Sequence, residues 1–571
     1  MKGFGFRTLA TILIVFHTMQ TYGITLFKNG RSDYLIVVSP KASVSEKNAA
    51  KELQDYLKQI GGVNLPISHQ AQTNGKHIYV GYNNYLKKMT GAPRPDADDE
   101  GFTYRTIGDN LCIWGGSERG TMYGVFTFLE RELGVRWYAK DCTIIPPQET
   151  VSLGILNHSE KPAVKYRYDE FYGFFSEPEF YAHNKMNMQW ESTPNQYGNF
   201  NNYWGCHTSF RLVSPDKYFS THPEYFSMRN GRRIANGQLC LSSPEVLRIA
   251  TEYLQSQINP LAGYWCYDVS QNDNLLFCEC RKCKKLEQKY GGHSGIWIWF
   301  INQIAEKLPD IMLGTFAYQY TTRPPKNIVP RENIVIRLCT TDCCFAHPLE
   351  SCPENREFME ALKDWSRLTR HLYIWDYTVN FSHFLAPFPN FDVLASNIKT
   401  FKKYGAIAIH EEGEYKSGMG EFSEMKGWVL SKLLWNPEQN TDALIDEFLH
   451  TYYKEAAEEI KKYYNLYKNL VRPNLHMGIY ANCTKDRFPK EFVDSSLNIL
   501  TAALKKCNND IIRRRVERVY LQPLYVQNRI YRIQSIASGN YQRMMNIIKQ
   551  QKPYINEGTN AKEFIMKHDY T

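Results

Sequence analysis

Between residues 160 and 425 the sequence repeats one pattern, in which a short apolar segment is followed by a loop and an amphipathic helix. Eight segments read as strands, at 164–171, 185–190, 237–242, 263–270, 313–320, 333–339, 371–377 and 405–411. Eight strands that alternate with helices are typical of a (β/α)8 barrel. The sequence therefore predicts an α/β protein whose central domain, residues 160–425, is a (β/α)8 barrel.

The regions on either side of the predicted barrel have different patterns. Residues 24–155 contain strand and helix patterns but neither a nucleophile–base arrangement nor a phosphate loop, so we interpret them as a small α/β accessory domain. Residues 426–571 contain long periodic apolar faces and predict a helical C-terminal domain.

The first 23 residues have the pattern of a secretory signal peptide. Lys2 and Arg7 precede an apolar run at 9–16, and small residues lead to Gly23. The run is far shorter than the roughly 20 apolar residues of a membrane span. We therefore expect an exported protein, located in the periplasm or at the cell surface.

Composition and charge restrict the partners. The formal net charge of +9 is spread along the chain, which predicts no nucleic-acid partner. No other stretch is long and apolar enough to predict a membrane span. Aromatic residues make up 14% of the chain, and flat rings with polar tips suit a glycan or glycoprotein substrate, although a tyrosine-rich core explains the same number.

Acidic residues follow several of the predicted strands. The fourth strand leads into Asn272 and Asp273, and the eighth leads into Glu411 and Glu412. In a (β/α)8 barrel the reacting groups lie at the carboxyl ends of the strands. Cleavage of a glycosidic bond needs one carboxyl group to protonate the leaving oxygen and a second group at the anomeric carbon. The sequence therefore predicts Asp273 and Glu412 as catalytic residues.

Further polar and aromatic residues near strand ends are candidates for substrate binding. Taken singly, each has an ordinary explanation, because loop carboxylates usually form turns or face water and a histidine often belongs to the core. Their shared position at strand ends favours a sugar-binding role. The candidates are His207, Tyr320, Trp375, Asp376, Tyr377 and Glu411.

The stretch CECRKC places Cys278, Cys280 and Cys283 at a spacing that suits zinc. A structural site needs a fourth ligand, for which Cys206, Cys240, Cys266 and His293 are candidates; the alternative is one disulfide and one free thiol. In either case the cluster is expected to hold the loop that carries Asp273. No histidine set typical of catalytic zinc is present, so a structural zinc is the only cofactor considered.

Several stretches together resemble known families. Residues 115–138 resemble the N-terminal domain of alpha-glucuronidases and hexosaminidases. Residues 222–233, 238–246, 270–283 and 432–453 resemble the domain-of-unknown-function family 4838, which includes glycoside hydrolase family 163. Members of family 163 are endo-β-N-acetylglucosaminidases that release complex N-glycans. The resemblance implies a retaining glycosidase in which the acetamido oxygen of the substrate acts as the nucleophile.

That mechanism needs one group to orient the acetamido group and one to protonate the leaving oxygen. One assignment makes Asn272 the orienting group and Asp273 the acid; the other makes Glu412 the acid and Asp273 the orienting group. Two other functions remain open. The first is an exo-acting alpha-glucuronidase-like enzyme, with Arg167 and Arg323 binding the uronate, and the second is a non-catalytic glycan-binding protein on the same barrel.

Overall fold

The computed structural model describes residues 23–189, 195–198, 201–259 and 262–551. Apart from Gly23, the predicted signal peptide lies outside these residues. The last predicted helical segment is described as far as residue 551.

Eight parallel strands form the central sheet, and we number them first to eighth in chain order. The spatial order is first, eighth, seventh, sixth, fifth, fourth, third, second, which is the neighbour order of a (β/α)8 barrel. The two edge strands approach each other, since the Asn187 backbone N–H before the second strand donates to the Arg167 carbonyl of the first at 3.2 Å. The strands are Tyr166–Asp169, Met188–Gln189, Asn201–Trp204, Tyr264–Asp268, Leu313–Ala317, Ile334–Cys339, Leu372–Tyr377 and Ala406–Glu412.

The third strand differs from the prediction. The segment 237–242 is a loop, and the third strand is Asn201–Trp204, within a stretch rich in Asn and Gly. Short apolar runs do not distinguish a strand from a buried loop, and this one is used to hold other loops. Leu239 makes an isolated bridge to Phe226, and the Gln238 side chain bonds the backbone of Asn272.

Helices cover the outside of the parallel sheet, as the alternating pattern predicts. The longer ones are Pro244–Gln257, Arg281–Tyr290, His293–Lys307, Arg356–Leu368, Phe391–Lys403 and Ser423–Trp435. Short helices lie at Tyr172–Phe175, Pro178–His183, Ser209–Leu212 and Pro215–Tyr218, in the loops after the first and third strands. The sixth strand is buried along its whole length, as expected for a parallel strand covered on both faces.

The N-terminal region contains a mixed six-stranded sheet with helices Val44–Gly61, Asn84–Thr90 and Gly120–Glu132. In spatial order its strands are Asn157–Glu160, Phe102–Ile107, Asn110–Gly115, Lys76–Val80, Tyr34–Val38 and Ile67–Ser68. Smaller two-stranded sheets pair Ile24–Lys28 with Thr150–Leu153 and Arg136–Ala139 with Cys142–Ile144; a further pair, Met228–Arg229 with Arg232–Arg233, lies outside this region, between the third and fourth strands of the parallel sheet. A buried ion pair, Arg167 Nη2 to Glu100 Oε2 at 2.6 Å, joins this region to the first barrel strand.

The C-terminal region is helical. Its helices are Thr441–Tyr453, Ala457–Lys468, Lys490–Lys506, Asp510–Ile530, Arg532–Ala537 and Asn540–Gln550. The 469–489 segment between the second and third of these helices has no regular structure and returns to the barrel, where the Phe381 N–H donates to the Ile479 carbonyl at 2.8 Å. Among the described residues, no helix combines the length and apolarity needed to cross a membrane.

Candidate active site

A cavity of about 460 Å³ opens where the strands of the parallel sheet end. Every strand from the third to the eighth contributes to it, either from its last residues or from the loop that follows. Its lining comprises Cys206, His207, Asp273, Phe316, Tyr318, Cys339, Trp375, Tyr377, Phe381, Phe384, Glu412, Tyr415, Lys416 and Tyr480. The cavity therefore contains two carboxylates surrounded mainly by aromatic side chains.

Asp273 and Glu412, the two predicted catalytic carboxylates, both line this cavity although 139 residues separate them. The Asp273 carboxylate accepts hydrogen bonds from the Tyr318 hydroxyl at 2.9 Å and from Gln319 Nε2 at 3.2 Å. These donors hold the carboxylate in one orientation at the mouth of the barrel. Its catalytic role stays a prediction.

Glu412 has the environment of a proton donor. Burial, together with the nearby Glu170 and Asp273 carboxylates, raises the pKa of this carboxyl to about 7, although His410 and the Trp375 indole oppose the shift. The indole N–H donates to Glu412 Oε2 at 2.6 Å, which fixes the carboxyl against the aromatic wall. A carboxyl group with a pKa near neutrality is suited to general acid catalysis.

His207 lies beside the carboxylates in a conformation that the loop imposes. Its backbone has φ +52°, in the left-handed region, and its ring packs on Phe316 with centroids 4.9 Å apart. Nδ1 lies 2.7 Å from the Gln271 carbonyl, which only accepts, so Nδ1 carries a proton. In the neutral ring Nε2 is then an acceptor suited to a sugar hydroxyl.

Alternation along the seventh strand decides which predicted residues reach the cavity. Trp375 and Tyr377 line it, and their role in substrate binding stays a prediction, but Asp376 between them does not line it. On the eighth strand Glu412 lines the cavity and its neighbour Glu411 does not. Successive side chains of a strand point to opposite faces, so one residue in each pair must face away from the cavity.

Asp376 and Glu411 belong instead to a buried row of carboxyl groups, and their prediction as substrate-binding residues is wrong. Asp169, Glu411 and Asp376 are in register on three neighbouring strands. All three are at most 3% exposed, and burial raises the pKa of each; the pKa of Asp376 rises to about 6. Thr340 Oγ1 donates to Asp376 at 2.5 Å.

Asn272 and Tyr320 are also placed away from the cavity lining. The Asn272 side-chain amide donates to the Gly237 carbonyl at 2.9 Å, so the predicted orienting role in catalysis does not fit the structure. The Tyr320 ring packs on Phe277 and His293. A 3-10 turn follows the fifth strand and breaks the alternation, so Tyr318 lines the cavity and Tyr320 does not.

The arginines considered for uronate binding lie elsewhere. Arg167 is fully buried in its ion pair with Glu100, and Arg323 is an exposed partner of Glu357 at 3.2 Å. Lys416 is the one lysine or arginine among the cavity-lining residues of the described chain.

A four-cysteine cluster stands next to the loop that carries Asp273. Cys240 joins Cys278, Cys280 and Cys283, and the four sulfur atoms lie within 4.8 Å of one another, all buried. Cys240 Sγ is 3.7 Å from Cys280 Sγ and 3.8 Å from Cys283 Sγ. With Zn–S bonds of about 2.3 Å, a tetrahedral site places its sulfurs about 3.8 Å apart. The cluster therefore has the donor set and spacing of structural zinc, while the metal itself stays a prediction.

Several lining residues were not predicted from the sequence. Tyr318 and Lys416 follow the fifth and eighth strands, so a search of every position after a strand end finds them. Glu170, after the first strand, does not line the cavity but acts on it from behind: it accepts from His410 Nε2 at 2.8 Å and raises the pKa of Glu412. Tyr480 comes from the C-terminal region, and no local pattern marks it.

Comparison with known proteins relates both the N-terminal segment and the fold to glycosidases. Residues 30–128 match the Glycosyl hydrolase family 67 N-terminus. The chain is 29% identical over 98 residues to a probable alpha-glucuronidase A of Neosartorya fischeri, a match that covers 17% of this chain and only 12% of that relative. A structure of a family GH115 4-O-methyl-alpha-glucuronidase with specificity for decorated arabinogalactans shares the fold, with a TM-score of 0.56 at 12% identity over 95% of this chain and 78% of that one.

The chain thus combines a glycoside-hydrolase-like fold with an N-terminal segment of the family 67 type and a cavity lined by two carboxylates. Residues 137–465, more than half of the chain, match the model of the Domain of unknown function (DUF4838) family. The chain belongs to that family.

Proposed function

We propose that this chain is an exported endo-β-N-acetylglucosaminidase that releases complex N-glycans with retention of configuration. The observation that carries the proposal is the pair Glu412 and Asp273 in one cavity, with Glu412 held at a pKa of about 7 and Asp273 held by Tyr318. The signal-peptide pattern of residues 1–23 supports export to the periplasm or cell surface. The resemblance to family 163 supports the choice of substrate.

In this proposal Glu412 is the general acid. Its proton passes to the glycosidic oxygen as the bond to the anomeric carbon breaks, and the substrate acetamido oxygen forms a bond to that carbon. The Asp273 carboxylate accepts a hydrogen bond from the acetamido N–H and stabilises its developing positive charge. Water then attacks the anomeric carbon, the bond between that carbon and the acetamido oxygen breaks, and the Glu412 carboxylate takes the proton from that water.

The aromatic lining has a role in holding the sugar. Trp375, Tyr377 and Tyr318 present ring faces or hydroxyls beside the two carboxylates, and sugar C–H faces pack on such rings. His207 Nε2 adds an acceptor for a hydroxyl group. This arrangement favours the assignment in which Glu412 is the acid and Asp273 the orienting group.

A second candidate is an alpha-glucuronidase-like exo-glycosidase. Lys416 in the cavity lining is a cation suited to a uronate carboxylate, and the N-terminal match to a probable alpha-glucuronidase supports the same reading. We rank it second because neither Arg167 nor Arg323 reaches the cavity.

The test is incubation of the purified chain with complex N-glycoproteins and, separately, with glucuronic-acid-substituted oligosaccharides, followed by mass spectrometry. The proposal predicts free glycans with one reducing-end N-acetylglucosamine, while one such residue stays on the protein. NMR of the first product should show the β anomer. Release of uronic acid, sensitive to Lys416→Met, would favour the second candidate, and binding without any release would favour a glycan-binding protein.

A further inference from the structure

A second metal-ligating cluster joins the barrel to the C-terminal region. Cys344, His347, Cys352 and His476 place one sulfur or nitrogen atom each within 4.8 Å of one another. The first three follow the sixth barrel strand, and His476 lies in the 469–489 segment. We propose that these four residues form a structural Cys2His2 zinc site that holds this segment against the barrel.

The distances within the cluster match tetrahedral zinc. Cys344 Sγ is 3.4 Å from His347 Nδ1, and Cys352 Sγ is 3.5 Å from His476 Nδ1 and 4.0 Å from His347 Nδ1. Zn–S bonds of about 2.3 Å and Zn–N bonds of about 2.0 Å place sulfur and nitrogen about 3.5 Å apart in a tetrahedron. Two thiolates with two imidazoles are also the donor set that tetrahedral zinc prefers.

The tautomer of His347 is set for metal binding. Its Nε2 lies 3.1 Å from the Arg472 carbonyl oxygen, which only accepts, so the proton is on Nε2. The lone pair of a neutral ring is then on Nδ1, which faces Cys344 and Cys352. A carbonyl partner on the distal nitrogen is the usual way in which proteins orient a metal-bound histidine.

The cluster is largely buried, and hydrogen bonds fix the backbone next to it. Cys344 and Cys352 are 3% and 6% exposed, and the two histidines are partly buried at its edge. Asn355 Oδ1 accepts from the Cys344 backbone N–H at 2.6 Å, and Arg487 Nη2 donates to the His476 carbonyl at 3.0 Å. Hydrogen bonds therefore also hold the backbone at two of the four donor residues.

The segment held by this site contributes to the active-site cavity. Tyr480, four residues after His476, lines the cavity and is 62% exposed. Backbone bonds run from the Phe345 N–H to the Met477 carbonyl and from the Phe381 N–H to the Ile479 carbonyl, each 2.8 Å long. Zinc at His476 adds a strong tie to an otherwise irregular segment, and so fixes Tyr480 at the rim.

The test is zinc content, measured by inductively coupled plasma mass spectrometry on the full chain purified without chelator. His476→Gln and Cys352→Ser should each contain one zinc ion per chain fewer than the wild type, whether or not the four-cysteine cluster is also loaded. Cys343→Ser, next to the cluster, and Cys483→Ser, in the same segment, are the matched controls and should keep the wild-type content. Equal zinc in wild type and His476→Gln would overturn the proposal.

Three further measurements test for misfolding and for oxidation of the cysteines. In cobalt(II)-loaded protein, His476→Gln should weaken the thiolate-to-cobalt absorption, and hydrogen exchange should speed up across 469–489 while the barrel strands keep wild-type protection. Intact-mass analysis of alkylated, unreduced protein should find Cys344 and Cys352 as free thiols. A Cys344–Cys352 disulfide would refute the site, and none of these results depends on glycosidase activity.

Discussion

Neighbouring carboxyl groups on the same strand end differ in what they face. Glu412 faces the cavity beside Tyr377, while Glu411, one residue earlier, faces the buried row with Asp376 and Asp169. Both glutamates have a raised pKa because both are buried. A raised pKa alone therefore does not identify a catalytic acid, since access to a substrate cavity is also needed.

The largest effect is expected from Glu412→Gln, with Glu411→Gln as the matched control. Loss of the proton donor should lower kcat by about 10³-fold, within the range of general acid catalysis. Glu411→Gln should keep turnover within a few-fold of wild type. Glycan release assays on both variants measure the difference in kcat, and circular dichroism verifies that both are folded. Equal losses of kcat in the two variants would contradict the distinction between Glu412 and Glu411.

Asp273→Asn should have the next largest effect, a loss of about 10²-fold in kcat. The amide keeps the shape of the side chain but removes the negative charge that stabilises the acetamido intermediate. Asp376→Asn is the matched control and should turn over at the wild-type rate. Full activity of Asp273→Asn on complex N-glycans would remove Asp273 from the mechanism.

Asp376→Asn should instead change stability, in a pH-dependent way. Burial raises the pKa of Asp376 from 3.8 to about 6, so its contribution to stability is full below about pH 4 and is lost as the pH rises through 6. Asparagine resembles the protonated form, so the variant should gain up to about 3 kcal/mol over wild type at pH 7.5 and nothing at pH 3.5. Urea unfolding at the two pH values measures this, and a variant that is less stable at pH 7.5 contradicts the account.

Trp375→Phe should have the smallest effect, a shift in the pH profile. The indole N–H bonds the Glu412 carboxylate and favours its charged form, so its loss should raise the pKa of Glu412 above about 7. Because the acid must be protonated, kcat/KM should fall at a higher pH in the variant than in wild type. An unchanged alkaline limb would show that Glu412 is not the titrating acid.

The sequence was sufficient to predict features that depend on a local pattern of residues. Apolar strands followed by loops predicted the parallel sheet and located Asp273 and Glu412 at the strand ends. The third strand was missed because Asn201–Trp204 is short and lies in a polar stretch, while the apolar run at 237–242 is a buried loop.

The face of the sheet to which each side chain points was harder to predict, because near a strand end it depends on the residue at which the regular strand ends. For Asp376 and Glu411 the alternation has to be counted from the cavity, and Tyr320 misses the cavity because of a 3-10 turn that the sequence does not reveal. Long-range partners were least predictable. Cys240 was one of four candidates for the four-cysteine cluster, and His476 is 124 residues from Cys352, too far for any spacing rule.

The most direct measurement is a crystal structure of Glu412→Gln bound to a biantennary complex N-glycan on asparagine. The account predicts the side chain at position 412 within hydrogen-bond distance of the scissile glycosidic oxygen, with Asp273 at the acetamido nitrogen of the same sugar. Glu411 should stay buried and make no contact with the glycan. A glycan bound away from this cavity, or with its scissile bond beside neither carboxylate position, would contradict the account.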